Sequence, residues 1–361
     1  MRRAGDGGGG GRAAVAMRGK AARQLVKAGK VVYTIRKRTE RRRLPMRVLL
    51  IGCGAVGLSL AAALYQAGAQ VDLVARGETA RAIREGGIER RGILPHALVP
   101  PGNVGLTERP EDVPGGYDYV LISTKVTGNE ELAAGLALRK TDLLRGEGRL
   151  VLFQNGYGNE RPFVGLFEPS RLFHAYIPIG FRRMQPNVSE VTVLKAPMDM
   201  GSLCGAPGTA CAALAEALDK GGIPCRIDEQ LGKTQWSKLL YNCTLNALGA
   251  ILRTDYGGLV KSEDSVSIMK GIIREIFAVM RAGGYETFWP DATAYEEEFF
   301  FRILPPTYAH RSSTLQDIER RLPTEIDSLN GAIAGLGQSL GVETPCNTFV
   351  TQIIRAMERL Y

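Results

Sequence analysis

The strongest constraint in this chain is a set of three glycines, Gly52, Gly54 and Gly57, placed directly after the aliphatic run Val48 to Ile51 and directly before a helix-like stretch. A short, unbroken aliphatic run suits a strand buried on both faces of a parallel sheet. GxGxxG spacing is common by chance, but between a strand and a helix it has a mechanical meaning. Gly52 permits the tight turn, Gly54 lets backbone approach a pyrophosphate, and Gly57 lets the helix pack closely on the strand. The helix N-terminus adds free amide groups and a positive dipole end. In that context the turn Gly52, Cys53, Gly54, Ala55, Val56 and Gly57 reads as a dinucleotide cradle rather than as a purely structural turn.

The second apolar run ends at Arg76, where an acidic residue would hold the ribose hydroxyls of NAD. Asp72 lies inside the strand, four residues too early, and reads as a structural polar position. A guanidinium matches a 2′-phosphate in shape and charge, so Arg76 points to NADPH, with a solvated surface arginine as the bland alternative. Further strands are expected at Tyr119 to Ser123 and Arg149 to Phe153, with Lys125 and Asn155 just past their carboxyl ends, where ligand crevices form. Alternation from Val188 to about Leu203 suggests antiparallel strands, with another at Ile223 to Ile227. Beyond Glu229 the pattern is helical throughout. The expected fold is therefore α/β, a Rossmann-type doubly wound sheet over 46–228 followed by an all-helical domain over 229–361.

The formal charge of +9 does not argue for nucleic acid, because residues 1–45 carry +12 and the remainder −3. That leader, with a five-glycine run and fourteen basic residues, cannot build a core and is expected to be disordered. Its basic, acid-poor composition leaves a transit peptide, a membrane-surface segment or an extension upstream of Met46 open, although it contains no serine. Six cysteines without a CxxC pair, and three histidines, exclude a zinc site and fit a reducing compartment such as the cytoplasm. No apolar run approaches the length of a membrane span.

In the stretch 233–252, Trp236, Leu239, Leu240, Leu245 and Leu248 repeat with helical period, while Lys238, Asn242 and Asn246 share one stripe within about 80°. An ordinary solvated face would prefer Glu, Lys and Arg to two asparagines, which are poor mid-helix residues. One stripe thus carries a cation and two amides suited to a polar substrate. Ser313, with Gln316 three residues on, reads as a capping box and as a candidate carboxylate contact. Pro323 and Thr324 read as the start of a further helix containing Glu325, Asp327 and Asn330.

These blocks together, GCGAVG at 52–57, Lys125, QNGYGNE at 154–160, WSKLLYNCTLN at 236–246 and SSTLQDIERRLPTEIDSLNG at 312–331, resemble the ketopantoate reductase (2-dehydropantoate 2-reductase) family in order and separation over roughly 46–350. The resemblance implies a Rossmann domain, a helical domain and a site in the cleft between them. It implies Lys238 as general acid, Asn242 and Asn246 as the amides that hold substrate, Ser313 as a substrate contact, and Glu325 as a polar partner of the lysine and cofactor ribose. Lys125 and Asn155 are implied in the cofactor cleft. The reaction implied is NADPH-dependent reduction of a 2-oxo acid, 2-dehydropantoate to pantoate in pantothenate biosynthesis, without a metal, nucleic acid or membrane span. A homodimer is left open.

The departures from the family pattern gather where substrate would sit. Ala247 replaces a common proline, Tyr256 and His310 replace common asparagines, and Lys195 and Pro197 interrupt the strands near Val188 to Met200. A paralogous reductase of another oxo compound, or a non-catalytic NADPH-binding sensor, are therefore the competing expectations.

Overall fold

The computed structural model of the chain describes residues 45–360, together with a two-residue antiparallel pairing of Val26–Lys27 with Lys30–Val31 in the leader. The other expectations for the leader lie outside the described residues. From Pro45 onward the chain forms one unit, and only that unit is described below.

It opens with β1 (Arg47–Ile51), α1 (Ala55–Gln66), β2 (Gln70–Val74) and α2 (Gly77–Gly86). There follow three strands with no counterpart in the sequence reading, β3 (Ile88–Gly92), β4 (Ala97–Val99) and β5 (Gly105–Thr107). Their short length, glycines and charges hide any alternation. β6 (Tyr117–Ile122), α3 (Asn129–Ala137), β7 (Leu144–Leu152) and β8 (Leu172–Tyr176) complete the parallel core. Next come β9 (Ile179–Gln185), β10 (Val188–Leu194), β11 (Met198–Gly201), α4 (Ala212–Lys220) and β12 (Cys225–Ile227).

Eight strands form the main sheet in the order β12-β11-β8-β7-β6-β1-β2-β5, parallel except where β11 meets β8. β1 runs outward to β2 on one side and to β6 on the other, so the strand order reverses at the β1/β6 boundary, the switch point where such sheets bind ligands. Val48, Leu49, Leu50 and Ile51 are at most 3% exposed. Val48 and Leu50 pack on one face and Leu49 and Ile51 on the other, as an unbroken aliphatic strand requires.

The antiparallel strands expected over Val188 to Leu203 form, but in two different sheets, and the expectation is corrected only for the strand within 223–227. Val188–Leu194 pairs antiparallel with β9 but belongs to a second, four-stranded sheet of order β9-β10-β3-β4. β12 runs parallel to β11 at the edge of the main sheet rather than antiparallel. Alternation reports which face a residue occupies, not which strand is its neighbour.

The rest is helical: α5 (Leu231–Ile251), α6 (Tyr256–Leu259), α7 (Glu263–Gly283), α8 (Ala292–Glu298), α9 (Ser313–Glu319), α10 (Asn330–Leu340) and α11 (Pro345–Arg359). Trp236, Leu239, Leu240, Leu245 and Leu248 are all buried in this helical core, which fixes the rotation of α5 and with it the direction of its polar stripe.

Candidate functional site

The glycine turn has the geometry its spacing implies. Gly52 sits at φ +103, and a Cβ there would meet the Thr124 backbone nitrogen at 2.6 Å. At Gly57 a Cβ would land on the carbonyl oxygen of Gly52, so helix and strand approach as closely as backbone allows. Over Gly54, by contrast, nothing lies within 4 Å of a Cβ position. The N-terminus of α1 has neither a side-chain cap nor an acidic residue in its first turn. Open space over Gly54 beside uncapped amides fits a pyrophosphate. The Cys53 thiol turns inward to the Val74 carbonyl at 3.7 Å, and burial pushes its pKa up to about 12. Its contribution to the cradle is backbone only.

Arg76 stands at the end of β2 and is exposed, its Nε donating to the Glu108 carbonyl at 3.1 Å. Asp72 is structural, accepting from the Tyr117 hydroxyl at 2.8 Å and from Arg47 at 3.5 Å.

Past β7, the loop 154–160 is built from amides. Gln154 and Asn129 exchange hydrogen bonds of 2.9 and 2.7 Å, Asn129 also donates to the Asn159 carbonyl, and Asn159 donates to the Asn155 carbonyl. Gly156, at φ +105, leaves room for Ser328, whose carbonyl accepts from the Tyr157 amide at 2.8 Å. This docks the loop on the segment carrying Glu325, and the Asn155 amide donates to the Glu325 carboxylate at 3.4 Å. Lys125 crosses from the sheet to the helical region, pairing with Asp317 at 2.6 Å and donating to the Pro323 carbonyl at 2.9 Å. Lys125, Asn155 and Glu325 are thus brought together.

Lys238 meets this group from α5. Its ammonium donates to the Ile177 carbonyl at 3.2 Å and lies 5.7 Å from the centre of the Tyr176 ring. Burial pulls its pKa down to about 8, against the charges of Glu325 and Asp199, which favour the ammonium. Glu325 is raised by its own burial, opposed by the Asn155 hydrogen bond and the Lys125 charge. The outcome is a cation poised to lose its proton near neutral pH.

One turn further on, Asn242 is part-buried and makes no side-chain hydrogen bond among the described residues. Asn246 is 5% exposed, and its side-chain oxygen accepts from the Tyr256 hydroxyl at 2.7 Å. That leaves its two N–H groups as donors.

Two local expectations are corrected. The cap of α9 is Ser312, not Ser313: Ser312 Oγ accepts from the Leu315 amide and donates to the Asn246 carbonyl, both at 3.0 Å. Ser313 is exposed at the first helical position and makes no side-chain bond to Lys238 or to either asparagine. Pro323 and Thr324 do not start a helix. Glu325 precedes a 3₁₀ turn at Ile326–Ser328, and α10 begins at Asn330. Thr324 instead accepts from the Ile326 amide through its hydroxyl, a two-residue reach that closes a turn rather than opening a helix.

The sequence matches the family described as ketopantoate reductase PanE/ApbA over residues 48–205, and that family's C-terminal part over 230–358. The chain is 32% identical over 315 residues to 2-dehydropantoate 2-reductase of Aquifex aeolicus, covering 87% of this chain and 97% of that one. The chain belongs to the ketopantoate reductase family. A crystal structure of a PanE/ApbA family ketopantoate reductase from Ralstonia eutropha JMP134 superposes with a TM-score of 0.74 at 28% identity, covering 87% of this chain and 99% of that one. A ternary structure of D-mandelate dehydrogenase with NADH and anilino(oxo)acetate has the same fold, at TM-score 0.74 and 23% identity over 87% and 99% of the two chains. Ketopantoate reductases are NAD(P)-dependent oxidoreductases acting on a CH–OH group.

In this ketopantoate reductase family member three residues at the site escaped sequence reasoning. Asp317 answers Lys125 across the cleft, and only its place in the 312–331 block hinted at it. Asp199, paired with Arg226 at 2.5 Å, lends its charge to Lys238 from a strand far away in sequence. Arg183, on β9, reaches the Thr79 hydroxyl of α2, and its charge is felt at Cys53 in the glycine turn. No pattern in the sequence marks Arg183, because its strand belongs to the second sheet.

Proposed function

We propose that this chain reduces the C2 carbonyl of a small 2-oxo acid to the 2-hydroxy acid with NADPH, 2-dehydropantoate giving pantoate. The observation that carries the reading is Lys238, an ammonium with its pKa drawn down to about 8 at the head of a stripe that continues into the unpartnered amide of Asn242. The bound cofactor supplies the hydride. Lys238 donates a hydrogen bond to the substrate carbonyl oxygen, stabilises the alkoxide charge that grows there, and hands it the Nζ proton. Glu325 sustains the charge on Lys238 until that transfer. Asn242 and the N–H groups of Asn246 orient the substrate by donating to its oxygens, and Ser313 is left a contact at the rim.

The turn from Gly52 to Gly57 would hold the pyrophosphate of the cofactor, and Lys125, Asn155 and Glu325 would meet its ribose. NADPH rather than NADH is argued from Arg76, since a guanidinium reads a 2′-phosphate with paired donors. On this reading 46–228 serves as the cofactor domain and 229–361 as the catalytic one.

A second reading, reduction of a different oxo acid, draws support from the Tyr256 and His310 rings, 5.1 Å apart beside Asn246. The test is oxidation of NADPH by the full-length chain with 2-dehydropantoate, run beside NADH and a panel of other 2-oxo acids. Turnover of 2-dehydropantoate with NADPH is expected. Turnover only of another acid would replace the substrate, and cofactor binding without any turnover would remove the proposal.

A further inference from the structure

Lys195 lies just past the end of β10, and the fold brings it to the same short segment that Lys238 touches. Two lysines flank one short segment. Lys238 donates from its ammonium to the carbonyl of Ile177, while the backbone amide of Lys195 donates to the carbonyl of the next residue, Pro178, at 3.1 Å. The Lys195 side chain then leans over α5, its ammonium 5.4 Å from the centre of the Tyr241 ring. Tyr241 is three residues after Lys238 and one before Asn242, about 60° round the helix from the lysine.

The Tyr241 ring begins an aromatic row. Its centre lies 5.9 Å from that of Tyr256, and Tyr256 lies 5.1 Å from His310. The Lys195 charge reaches the far end, where it adds to burial in lowering the pKa of His310. No carboxylate among the described residues comes within ion-pair distance of Lys195, although burial of its own stem is enough to lower its pKa. Half-exposed and without a counter-ion among the described residues, the Lys195 ammonium is open to an anion arriving from solvent.

The polar groups on and around this part of α5 are donors almost throughout. Lys238 and Lys195 bring ammonium groups, Asn242 brings an unpartnered amide, and Asn246 has its acceptor occupied by Tyr256. Such a surface selects a ligand rich in acceptors and negatively charged.

We infer that Lys195 is a specificity-determining residue, whose ammonium over the Tyr241 ring receives a carboxylate of the oxo-acid substrate. The inference rests on the proposed 2-oxo acid reduction for the identity of the anion. That carboxylate is either the one beside the reacting carbonyl or a second one at the far end of a diacid, and the two sources separate by experiment.

The test compares full-length wild type with Lys195→Met and Lys195→Arg. Steady-state reduction is measured with 2-dehydropantoate, with 2-oxoglutarate as a diacid, and with the neutral ethyl ester of 2-oxobutyrate. Binding of oxamate to the NADPH-loaded protein, followed by cofactor fluorescence, gives a readout that needs no turnover. K195M is expected to raise KM for acids about tenfold with a smaller change in kcat, to weaken oxamate in parallel, and to leave the ester unmoved, while K195R restores most of the affinity. A rise for the diacid alone, with oxamate unchanged, assigns the distal carboxylate and still supports the inference. Equal effects on ester and acids, or no effect on any, would overturn it. If the wild type reduces none of the acids, the proposed function fails, while the oxamate measurement still decides on Lys195. Absence of oxamate binding to the wild type would overturn both.

Discussion

The proposed cofactor cradle and the proposed substrate face are built on opposite principles. The cradle comes from one continuous stretch, β1 through Arg76, in which each residue's task follows from its neighbours in sequence. The substrate face joins Ile177 and Pro178 between two strands, Lys195 after a hairpin, the stripe on α5, Tyr256 on α6, His310 before α9 and Glu325 before a 3₁₀ turn. In the first, backbone geometry does the binding, and a Cβ in the wrong place is the main hazard. In the second, side chains from five segments and the backbone carbonyls of a sixth set one another's charge and orientation. A local motif can therefore be inherited whole, whereas an assembled face can be retuned by single replacements at its edge.

The sharpest way to break this comparison is at Lys238, where the assembled face concentrates its chemistry. Lys238→Ala should lower kcat by about a hundred- to ten-thousandfold while NADPH affinity, measured by fluorescence titration, stays near wild type. A parallel loss of NADPH binding would show that the two regions are not separable.

The cradle is probed at Arg76. Arg76→Ala should reduce the preference for NADPH over NADH by about tenfold or more, the worth of a charge-assisted contact to a phosphate. Ratios of kcat/KM for the two cofactors check it. An unchanged ratio would transfer the 2′-phosphate to Arg183, the guanidinium from the second sheet.

Smaller is the expected effect of Tyr256→Phe, which removes the hydroxyl that holds the Asn246 oxygen at 2.7 Å. Leaving that buried carbonyl without a donor should cost about 1 kcal/mol in transition-state binding. Wild-type kcat/KM in Y256F would mean that Asn246 needs no such orientation.

The finest test concerns pH. Reduction needs protonated Lys238, so kcat should fall as pH rises through about 8. Glu325 favours the ammonium and opposes its desolvation, so Glu325→Gln should move this descending limb to lower pH. A limb that stays in place, or moves upward, would mean that Glu325 does not act through the charge of the lysine.

The parts of the fold that could be read from the sequence were those where local chemistry leaves one solution. The apolar run Val48 to Ile51 had to be buried on both faces, and Gly57 had to face backbone closely enough that no Cβ could fit. The stripe Lys238, Asn242 and Asn246 followed from helical period alone. Reading failed where a polar residue could serve either of two local structures. Ser312 and Ser313 are equally good caps by type, and burial of Ser312 against the Asn246 carbonyl decided between them. Thr324 turned its hydroxyl to the Ile326 amide and closed a turn instead of opening a helix.

By itself, then, the sequence determined the strand, turn and helix of the cradle and the polar stripe of α5, because each depends on neighbours within a few residues, and membership in a reductase family, because the motif blocks keep their order and separation along the chain. Only the tertiary structure decided that β3 and β4 join β9 and β10 in a second sheet, that Asp317 answers Lys125, that Asp199 and Glu325 share the field at Lys238, and that Lys195 hangs over Tyr241. These depend on which strands pair and which helices dock. Period and propensity tell a residue which face it occupies, but the partner on that face is chosen by the packing of the whole chain.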